Sequence, residues 1–235
     1  MVTEKQRLQT VAENSLYTTF ANSMTIEYCY EVYKRFLKDG NVLELGPAEG
    51  LMTGHLSKSM NDVTVVEGSE VFCKQLESKF PTINVVNSLF EEYQPHQKFS
   101  NVLLGHVLEH VNDPVEILKL VKNWLKPDGV ILAAVPNSRS LHRQASVIMG
   151  LQPSEETMSE LDYHHGHRRI YNPESFRSDF IKAGLQVLNY GGYWLKPVSN
   201  RQINDSWTKE MLLAFMKLGE RYPDIAAEMY VVASL

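Results

Sequence analysis

A chain of 235 residues is long enough for one well-cored α/β domain and short for two. Its formal net charge is -5 and its Lys and Arg are scattered, so it carries no electrostatic footprint for nucleic acid; Lys122 to Lys126 and Arg168-Arg169 are too short to be basic patches. Cys29 and Cys73 show no C-x-x-C spacing and read as reduced, buried thiols of a cytoplasmic protein. Met1 to Thr10 lacks the apolar centre of a signal peptide, and no run approaches the roughly 18 apolar residues of a membrane span, so neither secretion nor a membrane partner is expected.

Residues 3–38 carry Leu16, Tyr17, Phe20, Met24 and Val32, and the later part keeps helical spacing up to a stop at Lys38-Asp39-Gly40. One or two helices are therefore expected ahead of the first strand. Asn41 to Leu45 is an apolar run that ends in Gly46-Pro47-Ala48-Glu49-Gly50, and helical spacing resumes at Leu51, Met52 and Leu56. Glycines permit the tight turn, and the helix start presents unpaired N–H groups to a ligand. The dinucleotide pattern G-x-G-x-x-G fails here, because Ala48 and Leu51 stand where it needs glycines.

Val63 to Val66 is a continuous apolar run, as in a strand covered on both faces, and it ends at Glu67-Gly68-Ser69. Glu67 stands where nucleotide-binding α/β folds hold a ribose, and its two oxygens can accept from both hydroxyls. A helix over Glu70 to Phe80, a third strand over Ile83 to Val86 and the loop Asn87-Ser88-Leu89-Phe90 follow. Phe99 to Gly105 is the fourth strand and leads into His106-Val107-Leu108-Glu109-His110-Val111. Adjacent Glu109 and His110 diverge on a helix and make a poor chelate by themselves. Pro114 opens a helix with Val115, Leu118, Val121 and Trp124 on one face, and Lys126-Pro127-Asp128-Gly129 turns it into a fifth strand, Val130 to Val135.

Three of these stretches resemble class I S-adenosylmethionine-dependent methyltransferases of small-molecule type. Glu44, Gly46, Ala48 and Gly50 fall in register with the E-x-G-x-G-x-G loop. L-E-H-V-x-D-P, at Leu108 to Pro114, is similar to the fourth-strand motif of the ubiquinone-pathway and related enzymes, and L-K-P-D-G-x-x-L-x-x-x-P-N, at Leu125 to Asn137, is a third block. The resemblance implies a Rossmann-like three-layer α/β sandwich: a seven-stranded, mostly parallel sheet with an antiparallel last strand, N-terminal helices, and a cap inserted after the fifth strand. It implies S-adenosylmethionine as methyl donor and S-adenosylhomocysteine as product. Glu44, Gly46, Pro47, Ala48, Gly50, Met52, Thr53, Glu67 and Gly68 would hold the cofactor, and Ser88, Leu89 and Phe90 would surround adenine. Tyr17 and Phe20 are lid candidates, and His106 would border the methyl end. Two positions depart from the family pattern. Ala48 replaces the middle glycine, which requires a negative φ there, and Ser88 replaces the acid that accepts from the adenine amino group, giving a bond without charge assistance.

Residues 138–171 change character and are expected to form the substrate cap, with a short helix over Ser140 to Met149. His164, His165 and His167 cluster there, but H-H-x-H lacks nearby carboxylate or thiolate partners, so no metal is expected. The resemblance places this run at the substrate mouth, with His165 or His167 as the base and Arg168-Arg169 as partners for an anionic acceptor group. A helix over Pro173 to Ala183, a sixth strand over Leu185 to Tyr190, a wall of Tyr193, Trp194 and Lys196, a helix over Ser206 to Tyr222 and a last strand over Glu228 to Ala233 complete the chain.

The expected organisation is a single domain, 1–235, with an N-terminal helical lid (1–40), a cofactor core (41–137), the cap (138–171) and the rest of the sheet (172–235). The expected function is methyl transfer from S-adenosylmethionine to an oxygen or nitrogen of a small molecule, with a homodimer left open. A non-catalytic protein retaining the fold is the alternative. A nicotinamide-dependent oxidoreductase is opposed by the missing glycine fingerprint and the lack of a Tyr-x-x-x-Lys pair.

Overall fold

The computed structural model describes residues 4–13 and 18–235; the lid candidate Tyr17 lies outside them. The strands are Val42–Leu45 (β1), Val63–Glu67 (β2), Asn84–Asn87 (β3), Phe99–Gly105 (β4), Leu125–Pro136 (β5), Gln186–Tyr193 (β6) and Glu228–Ser234 (β7). They form one sheet in the order β3-β2-β1-β4-β5-β7-β6. β1 to β5 pair in parallel, and β7 slots antiparallel between β5 and β6. The expected seven-stranded sheet with an antiparallel last strand is therefore present.

Sequence alternation on the central strands feeds two cores. Val102 and Leu104 of β4 face one side, where Leu118, Val121, Phe176 and Phe180 cover the sheet; Leu103 faces the other, with Met24, Tyr33, Leu56 and Met216. Period-two side-chain direction on a strand buried on both faces explains why these runs are continuously apolar. The covering helices include Phe20–Tyr33 (α2), Leu51–Ser59 (α3), Glu70–Lys79 (α4), Pro114–Trp124 (α5) and Pro173–Lys182 (α8); Glu4–Glu13 (α1) precedes them. Asp113 caps α5 by accepting from the Glu116 N–H at 3.0 Å, with Pro114 as the first helical residue. Cys29 and Cys73 are free and buried, as expected.

Three segments differ from expectation. β5 begins at Leu125, and its pairing with β4 jumps from Phe99–Leu125 to Asn101–Val130, so Lys126 to Gly129 forms an irregular bulge within the strand. β6 continues through Gly191-Gly192 because those glycines admit close neighbours: a Cβ at Gly191 would lie 2.4 Å from the Tyr230 hydroxyl. In place of the helix expected over 206–222 stands a shorter one, Lys209–Gly219 (α10), which Thr208 caps by accepting from the Met211 N–H at 3.3 Å, and a separate helix, Asn200–Ser206 (α9), precedes it.

The cap contains Leu141–Ile148 (α6) and Glu160–His164 (α7). Chain connections leave β1 towards β2 on one side, while β4 lies on the other. That reversal opens a crevice at the carboxyl ends of β1 and β4, where α/β sheets bind ligands.

Candidate active site

The loop after β1 turns through left-handed backbone at Gly46 (φ 65°), Ala48 (φ 49°) and Gly50 (φ 81°). The negative φ expected of Ala48 is thus contradicted. Glu67 accepts the Ala48 N–H at 3.3 Å on one oxygen and the Ser69 N–H at 2.7 Å on the other, bonds that help hold the loop in this conformation. Burial pushes the Glu67 carboxyl above the usual carboxylate range, against these bonds. Each of its oxygens keeps a lone pair for a ligand hydroxyl.

Glu44 at the end of β1 is 4% exposed and accepts from the Thr53 hydroxyl at 2.7 Å. Burial pushes its carboxyl up to about 8 despite that bond. Glu44, Gly46, Pro47, Ala48, Met52, Glu67, Gly68, Ser88, Leu89, Phe90 and His106 line one cleft of about 1180 Å³. Two expected cofactor residues do not line it. Thr53 is fully buried behind Glu44, and Gly50 faces α4, where a Cβ would meet Leu76 at 2.6 Å. Both shape the site from behind.

The Ser88 hydroxyl donates to the Leu89 carbonyl at 2.8 Å, so towards the cleft it can only accept. Leu8 and Val11 of α1 cover this cleft, and a Cβ at Gly68 would lie 2.4 Å from Leu8. Phe20, the other lid candidate and the first residue of α2, packs instead against the core. Among the described residues, α1 rather than Phe20 does the covering.

A second cleft of about 910 Å³ adjoins the first, and Ile26, His106, His110 and His165 line both. His167, Glu109, Trp194, Lys196 and Glu228 line the second. His106 adopts a left-handed backbone, φ 58°, with its N–H bonded to the Ala134 carbonyl at 2.8 Å. Its Nδ1 lies 3.5 Å from Glu109 and 3.8 Å from Glu228, and its Nε2 lies 3.5 Å from the Tyr193 hydroxyl. Burial lowers the His106 basicity, but Glu109 and Glu228 outweigh it and raise the pKa. Burial pushes His110 and His165 down to about 4.

Glu109 is 1% exposed, and neither of its oxygens has a hydrogen-bond partner in the structure. Burial works to raise its pKa, yet His106, His110 and His167 together hold it down at about 2. One ligand-type atom each from Glu109, His110 and His167 lies within 4.8 Å of the others. The two motifs that separately lacked metal-binding partners meet here.

Arg168 and Arg169 are committed elsewhere. Arg168 donates to the His110 carbonyl at 2.8 Å and pairs with Glu4 at 2.7 Å, and Arg169 donates to the carbonyls of Leu108 (2.9 Å), Val111 (2.5 Å) and Asn112 (2.8 Å). They clamp the segment after β4, so the expected anion-binding role fails. Sequence reasoning missed Asp162, which pairs with Arg143 at 2.7 Å and with His167 Nδ1 at 3.3 Å. Its available signal was the capping box begun by Ser159. Glu228, a carboxylate in an otherwise apolar last strand, was the other miss.

A family model described as a methyltransferase domain matches residues 22–190. The chain belongs to that family and is built on the class I S-adenosylmethionine-dependent methyltransferase fold. Its relatives include a ubiquinone biosynthesis O-methyltransferase of Actinobacillus pleuropneumoniae, 26% identical over 170 residues, covering 68% of this chain and 71% of the relative. A second, from Pasteurella multocida and carrying the same description, is 30% identical over 48% of this chain and 46% of its own length. Among solved structures, a methyltransferase from Archaeoglobus fulgidus superposes with a TM-score of 0.60 at 18% identity, covering 90% of this chain and 93% of its own. The DhpI-SAM-HEP complex superposes with a TM-score of 0.65 at 15% identity, over 100% and 98%. No described helix is long and apolar enough to cross a membrane.

Proposed function

We propose that this chain transfers the methyl group of S-adenosylmethionine, held in the first cleft, to an oxygen of an anionic small molecule held in the second. The observation that carries this reading is the shared wall of Ile26, His106, His110 and His165, through which a methyl would pass from one cleft to the other. The sulfonium is already a strong electrophile. The protein has only to align the acceptor with the methyl–sulfur bond and exclude water.

In this reading Glu67 accepts from the ribose hydroxyls, Leu89 and Phe90 flank adenine, and the methionine portion runs over Gly46 and Ala48. Ser88 accepts from the adenine amino group. Residues 1–40 serve as the lid, with α1 rather than Phe20 as its covering element among the described residues, and residues 138–171 as the cap. Lys196, 9% exposed and lining the second cleft, takes the anionic group in place of Arg168 and Arg169. His106, with Nδ1 turned to Glu109 and Glu228, receives the acceptor proton on the loosely engaged Nε2. His165 and His167 line the acceptor side. The reduced, buried cysteines support a cytoplasmic setting.

Calorimetric titration with S-adenosylhomocysteine, with NADH alongside, tests the reading. Saturable binding of the first alone is expected. Labelled methyl transfer to a panel of hydroxy-acids then identifies the acceptor. Absence of S-adenosylhomocysteine binding would overturn the proposal.

A further inference from the structure

We infer that the acceptor is a hydroxycarboxylate whose carboxylate is bound by the Trp194 indole N–H together with the Lys196 ammonium, which makes Trp194 a specificity-determining residue. This rests on the proposed oxygen methylation and names the class of its anionic acceptor.

Trp194 follows the last residue of β6 and holds left-handed backbone, φ 69°. A bulky side chain makes that conformation costly, and such strain persists only where the surrounding structure enforces it. Here three backbone bonds do so. The Trp194 N–H donates to the Met216 carbonyl at 2.9 Å, the Leu195 N–H to the Phe215 carbonyl at 2.8 Å, and the Ala227 N–H to the Trp194 carbonyl at 2.8 Å. Gly219 of α10 permits the close approach, since a Cβ there would lie 2.3 Å from the Trp194 nitrogen. The residue fixed in this way lines the second cleft.

Its indole is incompletely bonded. Trp194 is 1% exposed, and its Nε1–H has no acceptor among the described residues. An indole nitrogen can only donate, and a buried donor left unpaired costs free energy that a ligand oxygen would recover. Lys196 stands beside it, with Nζ 4.8 Å from the ring centroid. Among the described residues Lys196 closes to no ion pair, although Glu228 favours its charge. His142 also lines the cleft and has a buried Nδ1 without a partner. Burial, then Lys196 and Arg143, push its pKa down to about 2, so it adds a hydrogen-bonding nitrogen and no charge.

The charges select a carboxylate. Arg143 lines the cleft too, but Asp162 pairs with it at 2.7 Å. One cation outside any ion pair and one neutral N–H match a group with a single negative charge and two accepting oxygens. A phosphate dianion would bring a second negative charge into a cleft that Glu109, Asp162 and Glu228 already line.

This anchoring decides which oxygen reacts. Held by Trp194 and Lys196, the carboxylate is kept from the methyl, and the hydroxyl lies at the His106 wall. The hydroxyl oxygen bonds to the methyl carbon as the carbon–sulfur bond breaks, and its proton passes to His106 Nε2. The products are the methyl ether of the acid and neutral S-adenosylhomocysteine, not the methyl ester.

The test reads the indole N–H directly. The chain has three tryptophans, Trp124, Trp194 and Trp207. Full chain with isotope-labelled indole nitrogen, saturated with S-adenosylhomocysteine, should give one N–H resonance for each, and Trp194→Phe should remove one. Titration with benzoate, or with the smaller acetate and glycolate, should move the Trp194 resonance downfield to saturation. Benzamide and inorganic phosphate should leave it in place, and Lys196→Met should weaken benzoate about tenfold or more. A Trp194 resonance that none of the three acids moves, or that benzamide or phosphate moves as far, would overturn the carboxylate site. With S-adenosylhomocysteine still bound, that outcome leaves the methyl-transfer reading standing; a chain that binds no S-adenosylhomocysteine overturns that reading instead. Should Trp194→Phe fail to fold, Trp124→Phe and Trp207→Phe assign the resonances by elimination.

Discussion

The Glu67 carboxylate at the end of β2 accepts the N–H of Ala48 at 3.3 Å, joining the tip of the β1 loop to the edge of the neighbouring strand. One side chain thereby helps shape the backbone that passes under a ligand and offers its remaining lone pairs to that ligand.

Glu67→Ala removes both roles. It should weaken S-adenosylhomocysteine binding by about 1.5–3 kcal/mol, the range for a hydrogen bond to a charged group. Calorimetry on the folded variant measures this, and an unchanged affinity would refute the placement of the ribose.

Ala48 holds a left-handed backbone that an L-residue with a Cβ adopts at a cost. Replacing it with glycine relieves that strain, less the entropy that glycine adds to the unfolded chain. Ala48→Gly should therefore raise stability by up to about 1 kcal/mol with cofactor affinity kept. Chemical denaturation reads the sign, and a clear loss of stability would contradict the strain.

Glu44 carries a pH signature. Burial raises its folded-state pKa to about 8, above that of an unfolded carboxyl. Its contribution to stability is thus fully present below the ordinary carboxylate range and lost as pH rises through about 8. Glu44→Gln keeps an acceptor for Thr53 and removes the titration. The Tm of the variant should fall less than that of the parent between about pH 3.5 and about pH 9, about one unit beyond the two pKa values; parallel curves would show that Glu44 ionises normally.

Lys196→Met keeps the stem over Trp194, whose ring centroid lies 4.8 Å from Nζ, and removes the charge. With an anionic acceptor, KM should rise about tenfold or more while kcat changes little, and a neutral acceptor of the same shape should be indifferent. Equal losses for both acceptors would assign Lys196 to packing.

Much of the fold was legible in linear order. Continuous apolar runs marked the central strands, Pro114 and Pro173 marked helix starts, and the Gly46 to Gly50 loop with Glu67 marked the first cleft. These signals are local, set by φ preferences, side-chain period and capping, and a residue carries them wherever the chain places it. Where a local signal was overlooked, as at Thr208, the boundary was missed. Where a conformation depends on a distant partner, sequence could not decide it: Ala48 takes positive φ beside Glu67, which lies on another strand.

The sequence by itself determined the class of domain, the glycine loop after β1 and the acid at the end of β2, because those features lie within short stretches and follow from backbone chemistry. Only the tertiary structure decided which partners the histidines and arginines meet. Glu109 and His167 are 58 positions apart, and their meeting depends on how the cap packs against the segment after β4. The same packing turns Arg168 and Arg169 onto backbone carbonyls, and Lys196 and the Asp162-paired Arg143 are the cations that line the second cleft. Long-range contacts of this kind leave no periodic trace in a single chain, since they are selected by the shape of the assembled core rather than by neighbouring residues.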